Sequence, residues 1–147
     1  MGIFDFLKNK ESVIANGDEL IEKHKQGKLN DEAFLKAFSQ VKVYYSTPYG
    51  NHKDGSQKVF LLMASDKTGL LPVFTSIENA KKFYDTAGRV DYMLMEGTYL
   101  SVLQTTQKIN EGNPKPPIPI GLVIEPEKNG AVVSANILKK VIEVLLK

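Results

Sequence analysis

The sequence predicts an α+β domain, and three observations carry that expectation. Apolar residues recur at helical spacing near the start and again at the end of the chain. Between them lie short apolar runs separated by Gly, Pro, Asn and Asp clusters, which read as strands and turns. In the second half, strand patterns alternate with helix patterns, whereas the earlier strands are joined as hairpins. Together they predict a mixed sheet of about five to six strands, packed by helices and preceded by a helical hairpin. At 147 residues the chain is one compact domain with enough length to bury an ordinary core. Its parts are an amphipathic segment over 1–15, a helical hairpin over 16–40 and an α/β unit over 41–147.

In the opening "MGIFDFLKNK", Ile3, Phe4, Phe6 and Leu7 fall on one short apolar turn. It reads as an end folded onto the body, with membrane-surface contact as the alternative. Phe6 stands where a myristoylation motif needs Ser or Thr. Asn16 and Glu19 have capping-box spacing, with Leu20 and Ile21 facing inward. Gly27 ends that helix, and Asn30 caps a second whose Phe34, Ala37 and Phe38 share a face.

Val41, Val43 and Tyr45 alternate, as a half-buried strand requires, and Asp54-Gly55 marks a hairpin tip. "KVFLLMAS" and "GLLPVFTS" are nearly continuous apolar runs, predicting strands covered on both faces. Pro72 argues against a central, fully paired position in the second of them and favours a bulge or strand end there. Ser76 caps the helix "IENAKKFYDT", which Gly88 ends; "RVDYMLM" is a further strand. A helix over "GTYLSVLQTTQKINEG" places Leu100, Leu103 and Ile109 inside. The proline-rich "NPKPPIP" is extended, leading to a buried strand "IGLVIEP", a turn "EKNG" and a paired "AVV". Ser134 caps the last helix, where Ile137, Leu138, Val141, Ile142 and Leu145 form an apolar stripe wide enough to be buried in the monomer, the expected outcome, or to cover a partner helix.

Several function classes are excluded or unsupported. With no cysteine there is no disulfide, thiol nucleophile or cysteine-rich zinc site. A formal charge of +2, with only Lys81-Lys82 and Lys139-Lys140 adjacent, lacks the basic stripe of a nucleic-acid binder. No apolar run spans a bilayer and no secretory signal is present, which predicts a cytoplasmic protein. The two histidines, His24 and His52, have no metal-ligand spacing, and both read as surface residues. Ser76 has Phe74 and Glu78 where a nucleophile elbow needs glycines, and no phosphate-binding glycine loop occurs. The chain is therefore expected to be no enzyme, with no metal and no cofactor.

Two surfaces remain as candidates. The strand-to-helix corner at Thr75 and Ser76, with Lys81, offers unpaired amides and hydroxyls to a small ligand or anion. The hairpin with Tyr44, Tyr49 and His52 offers an aromatic edge to a protein partner or a second copy of the chain.

"GLLPVFTSIENAKKF", then "YLSVLQTT", then "GLVIEPEKNGAVVSANILKKVI" resemble in order the SseB N-terminal domain family, the enhanced serine sensitivity proteins of bacteria. The resemblance runs from Val41 to Lys147, and the LPVFTS string is its most specific part. It implies a mixed α/β domain in a bacterial cytoplasm and brings no catalytic residues. Two departures stand out. Glu125 occupies the place where the family usually has Asn, and the chain stops where some relatives continue into a second domain. The expected function is a non-enzymatic interaction or regulatory module, with small-ligand or anion binding at Thr75-Ser76 as the alternative.

Overall fold

The computed structural model describes residues 17–128 and 130–147. The segment bearing Ile3, Phe4, Phe6 and Leu7, and Asn16 of the capping box, lie outside the described residues.

The helical hairpin forms as Gly27 and Asn30 dictate. Helix α1 (Gly17–Lys25) is followed by a left-handed turn at Gly27 and by α2 (Asp31–Phe38). The Asn30 side chain accepts a hydrogen bond from the Ala33 amide at 2.8 Å, a cap that stabilises a helix by about 1 kcal/mol. Phe34 and Phe38 point into the core beside Leu20 and Ile21.

The α+β class holds, with strands shorter and more numerous than the run lengths imply. A two-stranded antiparallel pair joins β1 (Lys42–Tyr45) to β7 (Met95–Thr98). A three-stranded sheet has β2 (Tyr49–His52) between β3 (Gln57–Val59) and β6 (Arg89–Val90). A four-stranded sheet runs β4 (Leu62–Met63), β5 (Gly69–Val73), β8 (Ile120–Ile124), β9 (Val132–Val133). Its central pair, β5 and β8, is parallel and wholly buried, as near-continuous apolar runs require. A bridge between Tyr44 and Phe74 ties β1 to the end of β5.

Pro72 lies inside β5, an interior strand, and not at the bulge or strand end expected of it, but it sits where its missing N–H is harmless. The amide of Gly69 points toward β8, so the even-numbered residues of β5 face the other edge. On that edge β4 pairs only with Gly69 and Leu70, and Tyr44 engages Phe74, which leaves the gap where Pro72 lies.

Three sequence expectations need correction. "KVFLLMAS" is two strands in two sheets, with all of β3 exposed, because the chain leaves one sheet at Phe60 to enter the other. "RVDYMLM" also divides, at Asp91, whose φ of 53° breaks an extended strand. On α4 (Tyr99–Asn110) the buried face is Tyr99, Val102, Leu103 and Thr106, while Ile109 is exposed. Ile109 lies nine residues beyond Leu100, half a rotation away on a helix, so the two cannot share a face.

The last helix, α5 (Ala135–Leu145), packs on β8 and α4 through Leu138 and Ile142. Ser134 occupies its cap position without a side-chain hydrogen bond, unlike Ser76. Leu138 is wholly buried in the main core, so Leu138→Ala is expected to cost about 3 kcal/mol in urea unfolding. Removing Ile137–Lys147 is expected to abolish cooperative unfolding altogether. A truncated chain that still melts cooperatively would show that the core closes without α5.

Candidate functional site

The corner at Thr75-Ser76 lies beyond the carboxyl ends of the two parallel strands, at the start of α3 (Ile77–Thr86). Ser76 has extended dihedrals, and its hydroxyl accepts from the Asn79 amide at 3.1 Å, which makes it the helix cap. Donors of Thr75 and Asn79 at this corner are engaged by one carboxylate. Glu125, the residue after β8, has a φ of 44° and is 2% exposed. Its Oε1 accepts from the Thr75 amide at 2.8 Å, the Thr75 hydroxyl at 2.9 Å and the Asn79 side-chain amide at 3.1 Å. The Glu125 carboxylate thus takes up the donors that Thr75 and the Asn79 side chain present beside this helix N-terminus.

The network extends to the helical hairpin. Thr75 Oγ1 also lies 2.8 Å from Asp18 Oδ1, so its single proton is shared between two carboxylates. Asp18 is in turn 3.6 Å from the Lys128 ammonium, on the short 3₁₀ turn Pro126–Lys128. Gly130 closes this turn against β8, where a Cβ would fall 1.7 Å from the Ile124 carbonyl oxygen. The Lys81 side chain is exposed and shares no hydrogen bond or ion pair with Thr75 or Ser76.

The tyrosine hairpin has a different character. Tyr44 is half-buried against a second core cluster of Phe60, Phe74, Ala80 and Tyr84. His52 is also mostly covered: its ring stacks on Phe60 at 6.5 Å, and it lies over Gly88. A Cβ at Gly88 would meet His52 Nε2 at 2.5 Å, and the residue's φ of 81° suits glycine in any case. Tyr49 alone of the three is well exposed, at 49%.

Beneath Tyr49 lies Arg89, the one arginine of the chain, only 4% exposed. Its guanidinium donates to the carbonyls of Thr47 at 2.8 Å and Tyr49 at 2.9 Å, and to the Thr47 hydroxyl at 3.0 Å. It also sits over the rings of Phe60 at 4.8 Å and Tyr84 at 5.0 Å. Arg89 therefore clamps the loop between β1 and β2 to the second cluster. Burial pushes the Tyr84 hydroxyl up to about 12, against the opposing pull of the Arg89 charge. The Tyr84 hydroxyl is buried without a hydrogen-bond partner among the described residues.

A third feature was legible only as excess apolar width on α5. An apolar groove of about 420 Å³ runs between α2 and α5, floored by β9. Phe34, Leu35, Val133, Ile137, Val141 and Leu145 line it. Ile137 is 45% exposed and the neighbouring Val132 is 49% exposed, so the stripe expected to be buried is only half covered. The groove's rim is charged: Asp31 and Glu32 on α2, Lys140 on α5. His24 closes one end, stacked on Phe34 at 4.5 Å with its Nε2 2.7 Å from Asp31 Oδ1.

Comparisons with protein-family models, with curated proteins and with solved structures give no match. Among the described residues no cluster of side chains could hold a metal ion, and no helix is long and apolar enough to cross a membrane.

Removing the Ser76 cap and the Glu125 carboxylate should separate their roles. Ser76→Ala is expected to cost about 1 kcal/mol. Glu125→Ala, which leaves the Thr75 amide and the Asn79 side-chain amide without their acceptor, is expected to cost about 1–3 kcal/mol, and Glu125→Gln less because its carbonyl still accepts. Urea unfolding of the three variants checks this ranking. Equal losses for Gln and Ala would mean that the carboxyl oxygen holds nothing at this corner.

Proposed function

We propose that this chain is a non-enzymatic protein-interaction or regulatory module of SseB-like kind. The half-covered apolar groove between α2 and α5 is its docking surface. The observation that carries this reading is the exposure of Ile137 and Val132 on one continuous apolar wall beside a charged rim. Scattered apolar residues are ordinary on a protein surface, whereas a contiguous, concave, polar-rimmed set marks an interaction site. An amphipathic segment laid in the groove would bury these side chains, with its own charges meeting Asp31, Glu32 and Lys140.

The alternative reading is a small-ligand or anion site at Thr75-Ser76. It has less support, because Glu125 Oε1 already accepts from Thr75 and Asn79. Lys81 brings no charge to that network. A bacterial, cytoplasmic setting belongs to the same SseB-like proposal and rests on the LPVFTS resemblance.

Ile137→Glu places a charge on the groove wall at an exposed helix position, so the fold is expected to melt within a few degrees of wild type. In captures from cell lysate, proteins retained by the wild type are expected to be lost with Ile137→Glu and kept with Tyr49→Glu. The opposite pattern would move the interaction surface to the tyrosine hairpin, and retention by all three would remove the groove from the account.

A further inference from the structure

We propose that the groove between α2 and α5 takes its partner as an added β-strand: an extended peptide segment paired to the open edge of β9, with a carboxylate beside Lys140. This inference rests on the docking role given above and names the recognition mode of that site and the chemistry of its partner.

The hydrogen-bond register of β9 points to a strand. The Ile124 amide donates to the Ala131 carbonyl at 3.0 Å, so these two form a bonded pair of the antiparallel ladder. Bonded and non-bonded pairs alternate, which makes Leu122–Val133 bonded and leaves Val123–Val132 as the non-bonded pair between them. The other side of β8 agrees: the Glu125 amide donates to Val73, which turns the odd-numbered residues of β8, Val123 among them, toward β5. The N–H and C=O of Val132 therefore point away from β8, on the edge where the sheet ends. Val132 lines the groove, and no hydrogen bond among the described residues uses either group.

An unpaired donor and acceptor on a sheet edge are a template for an incoming strand. A helix bonds its own amides and carbonyls internally and would leave both Val132 groups covered and unsatisfied. A strand meets them with its backbone and presents alternate side chains to the apolar walls. The edge lies on the floor between two helices, where a slender extended chain reaches it and a second folded copy, bringing helices of its own, does not. The free charge of the rim selects the flank. Asp31 and Glu32 are taken, 2.7 Å from His24 Nε2 and 3.2 Å from Lys36 Nζ. Lys140 has no ion pair among the described residues, so a carboxylate is the charge it matches.

A display library of random dodecapeptides panned on the full-length protein supplies the probe. Selected peptides are expected to alternate apolar with polar residues and to carry Asp or Glu, and Lys140→Glu is expected to weaken them several-fold at low salt. N-methylation of the peptide backbone is expected to weaken binding about tenfold at every second position and little at the positions between. Val132→Pro removes the outward N–H and no ladder bond, so it is expected to melt near wild type and bind about tenfold more weakly, whereas Val132→Thr binds as wild type. Should Val132→Pro fail to fold, the alternation along the N-methylated peptides decides. Selected peptides that are amphipathic helices, or N-methylation without an alternating pattern, overturn the strand. If Ile137→Glu still releases those peptides, the docking role of the groove stands and only the added strand falls. Peptides that bind Ile137→Glu as well as wild type, or a library that yields none, overturn both.

Discussion

The Glu125 carboxylate reaches from the end of β8 to the Thr75 amide at the end of β5, and the rest of the architecture depends on that contact. In open parallel sheets the crevice beyond the carboxyl ends of the strands is where ligands bind. Here that crevice holds a side chain of the protein. A buried carboxylate without compensation is unfavourable by several kcal/mol, so the site must supply donors. Thr75 and Asn79 supply them, the N-terminus of α3 adds its partial positive charge, and Thr75 passes the link on to Asp18. One carboxylate therefore ties the parallel strands, the following helix and the N-terminal hairpin to a common point.

With that corner fixed, the two apolar clusters fall on different parts of the fold. The main core lies among the helical hairpin, the β5–β8 pair, α4 and α5. The second lies under α3 and is closed by Arg89 and its aromatic neighbours. The groove arises from the main core because α5 presents a stripe wider than β8, α4 and the hairpin can cover. Leu138 and Ile142 are consumed in packing, whereas Ile137 is left on the open side. The two edges of this helix therefore differ: one edge of its apolar face closes the core and the other is left exposed.

Asn30 and Ser76 cap the helices expected of them because a cap needs only its own first turn, whereas Ser134 holds its cap position without a side-chain hydrogen bond. Gly88 likewise acts where it stands, at the positive φ that ends its helix. The division of "KVFLLMAS" was illegible, since hydrophobic pattern says which residues seek cover but not which strand supplies it. Asp91 and Glu125 adopt positive φ without the glycine that announces it. At the corner, Thr75 and Ser76 were visible as candidates, but Asp18, Asn79 and Glu125 lie up to 57 positions away from Thr75 along the chain. The groove left one trace, in the unusual breadth of the α5 stripe.

The most direct test of the central claim is native-state hydrogen exchange at the Thr75 amide, measured with and without millimolar phosphate. If the buried carboxylate of Glu125 holds this amide, exchange occurs only on global unfolding and phosphate leaves its rate unchanged. Exchange at the rate of an open loop, or protection that appears only when phosphate is added, would make the corner a receptor for external anions and contradict the account.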